Sequence, residues 1–363
     1  MFIRHRPMMP KDVRECAEII GTHPVIGPRY GGRIRDLCTA WLRLIRCEAK
    51  RATVLQMSTP CAPICFIGVS VFVTDDFVRE MKAHPGFWFG PELLKRILRG
   101  DSPILSNSQF RDANSHGGLN LVVWEGCIRP EFETNSEIRR HVMGRFTEEH
   151  KGFFLKEIIG SQLESAERFR WTLQTGGLLW NPRTGVYRKS FAKDPNEIIK
   201  RPHLVGLTRE IELARSEAWA VSWVGTLFDY HPPLCGFSRS EQRMLLMALE
   251  GQTDLELAQK LNVSVPTVKK MWVSVYRRVS AHLPELMPTA SRPDVFSIQR
   301  GKEKKRRLLA YLRDHLEELR PFSRRLQQAK TPMTGLETSV HKQRRRTYRN
   351  KKIVNLAKER DIA

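Results

Sequence analysis

The sequence predicts a mixed α+β domain over residues 1–190, a small all-α unit over residues 237–283 and a basic C-terminal extension. The chain has 363 residues, more than the ~100–150 of a typical single domain, so we expect at least two folded units. Strand-like and helix-like patterns alternate over residues 1–190, whereas helical patterns dominate after residue 237. The formal net charge of +22 favours a polyanionic partner, with nucleic acid ahead of an anionic membrane.

The composition is that of a globular protein. Hydrophobic residues make up 41% of the chain and charged residues 28%, with a mean hydropathy of −0.40, which excludes global disorder. The longest nearly apolar run, residues 61–73, is shorter than the ~20 residues that cross a bilayer. No apolar signal segment follows the charged N-terminus, so we expect a cytoplasmic, nucleoid-associated protein without membrane contact.

Cysteines and histidines predict neither a metal site nor a catalytic residue. The seven cysteines include no Cys-x-x-Cys pair and no cluster with histidine at zinc spacing, so we expect reduced thiols. The histidines share no spacing, and core or surface positions are expected for them. Four tryptophans are expected to be core aromatics rather than a ligand box: Trp88, Trp124, Trp171 and Trp180.

Strands and helices follow in order along residues 1–190. A short strand over residues 3–6 precedes an amphipathic helix that has Pro10 in its first turn. The β-branched and aromatic run over residues 64–73 predicts a buried central strand. Two further strands and two helices complete the pattern, with strands at 118–128 and 152–160 and helices at 136–146 and 164–173.

The segments outside these regions are assigned from breakers and charge. Residues 191–236 form a connecting segment in which 204–213 and 218–230 fit strand or helix equally, until His231 and two prolines end it. Residues 284–300 are a proline-rich linker. Residues 301–320 predict an amphipathic helix whose leucine stripe either packs on a domain or forms a homodimer seam. Its members are Leu308, Leu312, Leu316 and Leu319.

Residues 321–363 are expected to be a disordered basic tail. Residues 299–363 hold 20 basic and 7 acidic side chains, so 13 of the 22 surplus charges lie there. Either the run is a solvated surface or it adds sequence-independent phosphate contacts. The predicted auxiliary contacts are Lys342, Arg344, Arg345, Arg346, Arg349, Lys351 and Lys352.

Residues 237–283 predict three successive helices. Ser238 and Glu241 form a capping-box pattern before the first helix, which ends at Gly251. Thr253 or Asp254 caps the second helix. After a three-residue turn, Ser264 caps the third. Two helices joined by so short a turn are typical of a helix-turn-helix.

The third helix separates an apolar face from a cationic one. At about 100° per residue, Val268, Trp272, Val275 and Val279 share one sector and are expected to be core. The opposite, basic face fits the major groove of double-stranded DNA, although a bundle that binds another protein is the alternative. The predicted DNA-binding residues are Ser264, Pro266, Thr267, Lys269, Lys270, Val273, Ser274, Arg277 and Arg278.

Residues 237–279 resemble the DNA-binding domain of LuxR-type (GerE-type) transcription regulators. Seventeen positions match that family's pattern in register: Phe237, Ser238, Glu241, Leu245, Glu250, Gly251, Thr253, Asp254, Glu256, Leu257, Ala258, Leu261, Val263, Ser264, Thr267, Val268 and Lys269. The resemblance implies a four-helix unit with the third helix as recognition helix, and phosphate contacts by Thr267 and Lys269. Met271 stands where the family often has histidine.

The order of elements in the N-terminal region resembles the GNAT acetyltransferases. The resemblance implies an acetyl-CoA pyrophosphate loop after the fourth strand of that fold, where glycine-rich backbone meets phosphate. Here residues 129–138 contain no glycine and three glutamates, Glu131, Glu133 and Glu137. Acidic side chains repel a pyrophosphate, so we expect no cofactor, no catalysis and a sensing or scaffolding role.

The sequence therefore predicts a sequence-specific DNA-binding transcription regulator of bacterial type, with a small molecule or an acyl-CoA as effector. An acyl-CoA-dependent N-acyltransferase that is tethered to DNA is the rival function, with acetyl-CoA as its cofactor. A protein that coats DNA without sequence preference through its tail is the third.

Overall fold

The computed structural model describes residues 3–58, 63–162, 174–189, 203–217, 222–287 and 297–323. Eight strands are described: β1 Ile3–Pro7, β2 Lys50–Met57, β3 Ile64–Val73, β4 Leu119–Ile128, β5 Leu155–Gln162, β6 Leu178–Asn181, β7 Val186–Arg188 and β8 His203–Thr208. The α-helices are α1 Val13–Thr22, α2 Ile34–Arg43, α3 Asp75–Ala83, α4 Phe89–Arg99, α5 Asn107–Ser115, α6 Ser136–His150, α7 Arg209–Glu217, α8 Arg239–Leu249, α9 Asp254–Leu261, α10 Val265–His282 and α11 Ser297–Asp314.

The eight strands form one sheet in the order β1-β2-β3-β4-β5-β8-β6-β7. The β4–β5 pair is parallel, and the other described pairs are antiparallel. Pairing of β4 with β5 begins at Leu119 and Leu155 and stops at Val123 and Gly160, although β4 continues to Ile128. The two central strands therefore separate at one end.

A bulge in β4 lies where this separation begins. Val69 of β3 faces Glu125 and Ser70 faces Val123, so Trp124 has no residue opposite it. An extra residue in one strand bends that strand and increases its twist. The bend turns the end of β4 away from β5.

The strands predicted near residues 3–6, 64–73, 118–128 and 152–160 are confirmed as β1, β3, β4 and β5. The helices predicted after Pro10 and over residues 136–146 are confirmed as α1 and α6. Residues 204–213, which fitted strand or helix, are both: β8 ends at Thr208 and α7 begins at Arg209. The helix predicted over residues 164–173 lies outside the described residues.

The leucine-rich C-terminal helix is shorter than predicted. It ends at Asp314 because His315 adopts φ −123° and ψ 61°, which are not helical, and Leu316–Leu319 then form a 3-10 turn. Leu308, Leu312 and Leu319 are nonetheless buried within the chain. The stripe thus packs against the rest of the molecule, including α8.

The chain divides into two units, residues 1–322 and residues 323–363. Within the first unit we call residues 315–322 the C-terminal strap. The strap's Glu318 is fully buried and accepts hydrogen bonds from the backbone N–H groups of Leu234 and Cys235 at 2.9 and 3.0 Å. These bonds hold the residues just before α8 to the strap.

The thiol prediction is confirmed for the described cysteines, which are free: Cys16, Cys38, Cys47, Cys65, Cys127 and Cys235. None of the described helices is both long and apolar enough to cross a membrane.

Candidate functional site

Capping interactions fix the first two helices of the segment 238–282. The Ser238 hydroxyl accepts from the backbone N–H of Glu241 at 3.3 Å, and the Glu241 carboxylate accepts from the Ser238 N–H at 2.6 Å. Thr253 and Glu256 form the same reciprocal pair at the start of α9. Each pair satisfies backbone donors that a helix start leaves open. The predicted capping box is therefore confirmed.

The turn between α9 and α10 also has the predicted form. Asn262 ends α9 in the left-handed region with φ 55°, a conformation that asparagine tolerates better than most residues. Ser264 then caps α10 by accepting from the N–H of Thr267 at 3.3 Å. The two helices are thus joined by a short, well-specified turn.

The core face of α10 is confirmed. Its buried residues are Val268, Trp272, Val275 and Val279. The indole of Trp272 donates to a carboxylate oxygen of Asp254 on α9 at 3.2 Å, and the ammonium of Lys305 on α11 lies 4.6 Å from the centre of its ring. Trp272 therefore joins three helices.

The opposite face of α10 and the turn before it are exposed. The predicted DNA contacts that are exposed are Ser264, Pro266, Thr267, Lys269, Lys270, Val273 and Arg277. Val273 lies among them with 57% of its surface exposed. This surface carries three cations and no acidic side chain.

Two of the predicted DNA contacts point back into the bundle. Ser274 donates to the carboxylate of Glu241 at 2.7 Å, and the Arg278 guanidinium lies 3.3 Å from the same carboxylate. Burial of Glu241 acts to raise its pKa, but the hydrogen bonds from Ser238 and Ser274 and the charge of Arg278 outweigh burial and lower the pKa. Ser274 and Arg278 therefore hold α10 to α8, and the sequence pattern did not distinguish this role.

The predicted tail contacts, residues 342–352, lie outside the described residues.

The start of α6 is the place where the GNAT resemblance puts a pyrophosphate. The side chain of Asn135 accepts from the backbone N–H groups of Glu137 and Ile138 at 3.0 Å each. Those two donors are therefore satisfied within the chain. Glu133 also stands at this end and lies 3.1 Å from His23.

A cavity of about 530 Å³ opens where β4 and β5 separate. This volume lies within the ~300–1,000 Å³ of ordinary small-molecule sites. Its walls are largely apolar and aromatic and include Phe66, Trp88, Trp124, Phe146 and Trp223. The expectation that Trp124 is a core aromatic is confirmed, since it is 3% exposed and belongs to the hydrophobic core. Trp88 is half-buried, and both side chains also line this cavity.

One end of the cavity carries a buried carboxylate. Glu125, which is 6% exposed, accepts from the hydroxyl of Tyr30 at 2.8 Å. The Arg29 guanidinium lies 3.9 Å from Glu125 and 3.9 Å from the centre of the Trp88 ring. Burial, followed by the charge of Glu125, raises the pKa of Tyr30 well above its usual range. Tyr30 is therefore a hydrogen-bond donor at neutral pH.

The other end brings together Arg51, Ser70, Glu149 and His150. His150 Nδ1 lies 2.7 Å from the carbonyl oxygen of Phe146, and Nε2 lies 2.5 Å from the Ser70 hydroxyl. A carbonyl only accepts, so Nδ1 carries the proton and Nε2 accepts from Ser70. Burial lowers the pKa of His150 to about 4, so the imidazole is neutral at pH 7. Sequence analysis missed this pair because 80 positions separate its members.

No family model matches this chain and no curated protein matches it significantly. Solved structures that are similar in part include a GNAT-family acetyltransferase from Streptococcus pneumoniae, with 9% identity, TM-score 0.30 and a match that covers 57% of this chain and 99% of that chain. A spermidine N-acetyltransferase chimera from Vibrio cholerae and hSSAT has 10% identity and TM-score 0.31, and the match covers 57% of this chain and 95% of that chain. A GNAT-like decarboxylase in complex with isobutyryl-CoA has 12% identity and TM-score 0.30, over 56% of this chain and 98% of that chain. Likenesses of this size establish neither a family nor an activity.

Proposed function

We propose that the chain is a sequence-specific DNA-binding transcription regulator of the LuxR type, whose sheet-containing part has a sensing or scaffolding role. The observation that carries the proposal is α10. The helix follows a short turn, buries one apolar face and exposes Lys269, Lys270 and Arg277 on the other. A helix of this kind fits the major groove, where cations meet phosphate or guanine and Val273 meets a thymine methyl.

The proposal assigns different work to the exposed residues. Ser264 and Thr267 stand at the N-terminus of α10, where the helix dipole favours a phosphate. Lys269 lies on the flank of the helix, and Lys270 points away from the buried face. We therefore expect Lys269 to contact phosphate and Lys270 to contact a base edge. The tail residues 342–352 are proposed to add phosphate contacts.

Selection of bound fragments from a random DNA pool by the full chain tests the proposal. We expect a common sequence to be enriched, and Lys270→Ala to change that enrichment. Lys11→Ala is the matched control, because Lys11 is an exposed lysine outside residues 238–282 and its loss removes the same charge. An unenriched pool with uniform affinity would instead favour a DNA-coating protein.

An acyl-CoA-dependent N-acyltransferase is the second candidate. The parallel pair β4–β5, which separates around a cavity, favours it. The capped start of α6 and the nearby glutamates disfavour it, because a pyrophosphate would have to displace Asn135 and approach negative charge. Titration of the full chain with acetyl-CoA separates the two: micromolar binding supports the enzyme, and its absence supports a cavity that takes another ligand.

A further inference from the structure

Arg51 at the wall of the cavity has open hydrogen-bond donors. Its Nη1 donates to the carbonyl oxygens of Glu48 and Lys50 at 2.9 and 2.8 Å. Among the described residues, no hydrogen-bond acceptor lies on Nε or Nη2, and no carboxylate lies within 4.0 Å of the guanidinium. Arginine cannot be deprotonated near neutral pH, so a charged donor edge remains available there.

The carboxylates near Arg51 have other partners. Glu149 pairs with Arg145, and the Glu48 carboxylate accepts two hydrogen bonds from Arg111 at 2.8 Å each. The guanidinium of the buried Arg320 lies 4.6 Å from the centre of the Phe153 ring, and the guanidinium of the half-buried Arg51 lies 4.7 Å from the same ring. Burial, with the charge of Arg51, lowers the pKa of Arg320 to about 9. This end of the cavity therefore has an excess of positive charge.

The neighbouring polar pair does not neutralise this charge. His150 is neutral at pH 7, and the Ser70 proton is used in the bond to Nε2. Desolvated charge is stable only when it is paired. A ligand that places one negative group on Arg51 would supply the missing partner.

The rest of the cavity limits the ligand further. Its walls beyond Arg51 are mostly apolar, so the body of the ligand must be apolar as well. The lining also includes the Glu125 carboxylate, which accepts a hydrogen bond from Tyr30 and lies 3.9 Å from the Arg29 guanidinium, so its charge already has partners. With the charged donors of Arg51 and mostly apolar walls, the cavity fits a monoanion with an aliphatic or aromatic body.

We propose that the cavity binds a small organic acid whose single carboxylate accepts hydrogen bonds from Arg51 and whose apolar body lies among the aromatic side chains between β4 and β5. This inference rests on the sensing role proposed above for the sheet-containing part and names the ligand class.

Calorimetric titration of the full chain with decanoate tests the inference. Decanol, which has a similar apolar body and no charge, is the control. We expect decanoate to bind with 1:1 stoichiometry and at least ten times more tightly than decanol, because a charged hydrogen bond to a guanidinium contributes more than a neutral one. Benzoate and 4-phenylbutyrate extend the test to aromatic bodies. Equal affinity for the acid and the alcohol, or no binding by any of these acids, would overturn the inference.

Two variants locate the site. Gly160→Leu should abolish binding, because a Cβ at Gly160 meets Val123 at an ordinary 3.6 Å and a longer side chain would fill the cavity. Since this variant keeps the basic tail, unchanged binding in it would assign decanoate to the tail and refute the site. Arg51→Gln should weaken decanoate at least tenfold and leave decanol unchanged. If Arg51→Gln does not fold, the proposed site is tested by the affinities of the parent chain for decanoate and decanol and by Gly160→Leu.

The DNA-binding proposal and the organic-acid site are tested by separate experiments, so one can be refuted while the other stands. Acid binding without sequence-selective DNA binding would keep the site and refute the regulator. Selective DNA binding without acid binding would do the reverse.

Discussion

Replacement of Trp272 by alanine tests the orientation of α10, on which the proposed DNA-binding surface depends. Trp272 is 5% exposed and contacts both α9 and α11. Its indole N–H bonds Asp254, its ring lies under Lys305, and Tyr276 stacks on it with ring centres 5.8 Å apart. An alanine side chain can make none of these interactions and would leave a cavity.

The size of the effect follows from the buried area. A buried tryptophan removes about 200 Å² from water, which at about 25 cal/mol per Å² stabilises the folded state by about 5 kcal/mol. Measured losses for such truncations are about 3–5 kcal/mol, because the surrounding structure partly relaxes. We therefore expect the free energy of unfolding to fall by about 4 kcal/mol, a large share of the ~5–15 kcal/mol that stabilises a domain.

Urea unfolding, followed by circular dichroism, measures the loss. Val273→Ala is the matched control, since Val273 is next in sequence and 57% exposed, and we expect a change within about 0.5 kcal/mol. If both variants unfold at the same urea concentration as the parent chain, Trp272 is not a core residue. The orientation of α10 would then be wrong, and with it the choice of outward-facing residues.

Four further predictions concern the DNA-binding surface, the tail and two titratable side chains. Lys270→Ala should cost about 1–3 kcal/mol of binding free energy on the preferred DNA site and relax the preference at one base pair. Lys269→Ala should weaken binding to matched and scrambled sites alike, and equal losses of Lys270→Ala on the two sites would exclude a base contact by Lys270. Deletion of residues 331–363 should lower the slope of log K against log salt by about 0.9 for each phosphate that the tail would otherwise bind, and an altered site preference with an unchanged slope would refute the phosphate role. The Glu241 pKa is lowered in the folded chain, so the stability it contributes is present above its usual value of 4.5 and lost as the pH falls below it; Glu241→Gln should flatten that acid loss in urea titrations. The pKa of His150 is about 4 in the folded chain, against the ordinary histidine value of 6.5. Between these values the unfolded chain binds a proton that the folded chain does not, so the free energy of unfolding should fall by up to about 3 kcal/mol as the pH drops from 6.5 to 4. An equal fall in His150→Asn would refute this.

The helices of residues 238–282 were predictable because their signals are local. The capping pairs of Ser238 with Glu241 and Thr253 with Glu256 span three positions, and each fixes a helix start by itself. The buried face of α10 follows from helical periodicity alone. Such interactions form within a few residues, so the sequence pattern and the folded structure agree.

The cavity was not predictable, because its parts come from distant positions. Ser70 and His150 are 80 positions apart, and Tyr30 and Glu125 are 95 apart. The pairing of strands brings them together, and a pattern read along the chain carries no signal of that pairing. The end of the C-terminal helix was mispredicted for a related reason: helical spacing continues to Leu319, but the backbone leaves the helix at His315. The predicted packing of the stripe on the rest of the chain is confirmed for Leu308, Leu312 and Leu319, which are buried.

The C-terminal strap connects the polar end of the cavity with α8. The side chain of Gln242 on α8 donates to the carbonyl oxygen of Arg320 at 2.8 Å. The Arg320 guanidinium in turn donates to the carbonyl oxygens of Lys151 and Glu148, next to His150, at 2.9 and 2.6 Å. Charge at Arg51 acts on Arg320, so an anion on Arg51 would change the energy of a group that also positions α8. Contiguity alone does not establish coupling, because a ligand shifts an equilibrium only by its difference in affinity for the two states. The affinity of decanoate for the free and the DNA-bound chain measures that difference directly, and equal affinities would mean that the strap holds the two parts together without transmitting ligand binding.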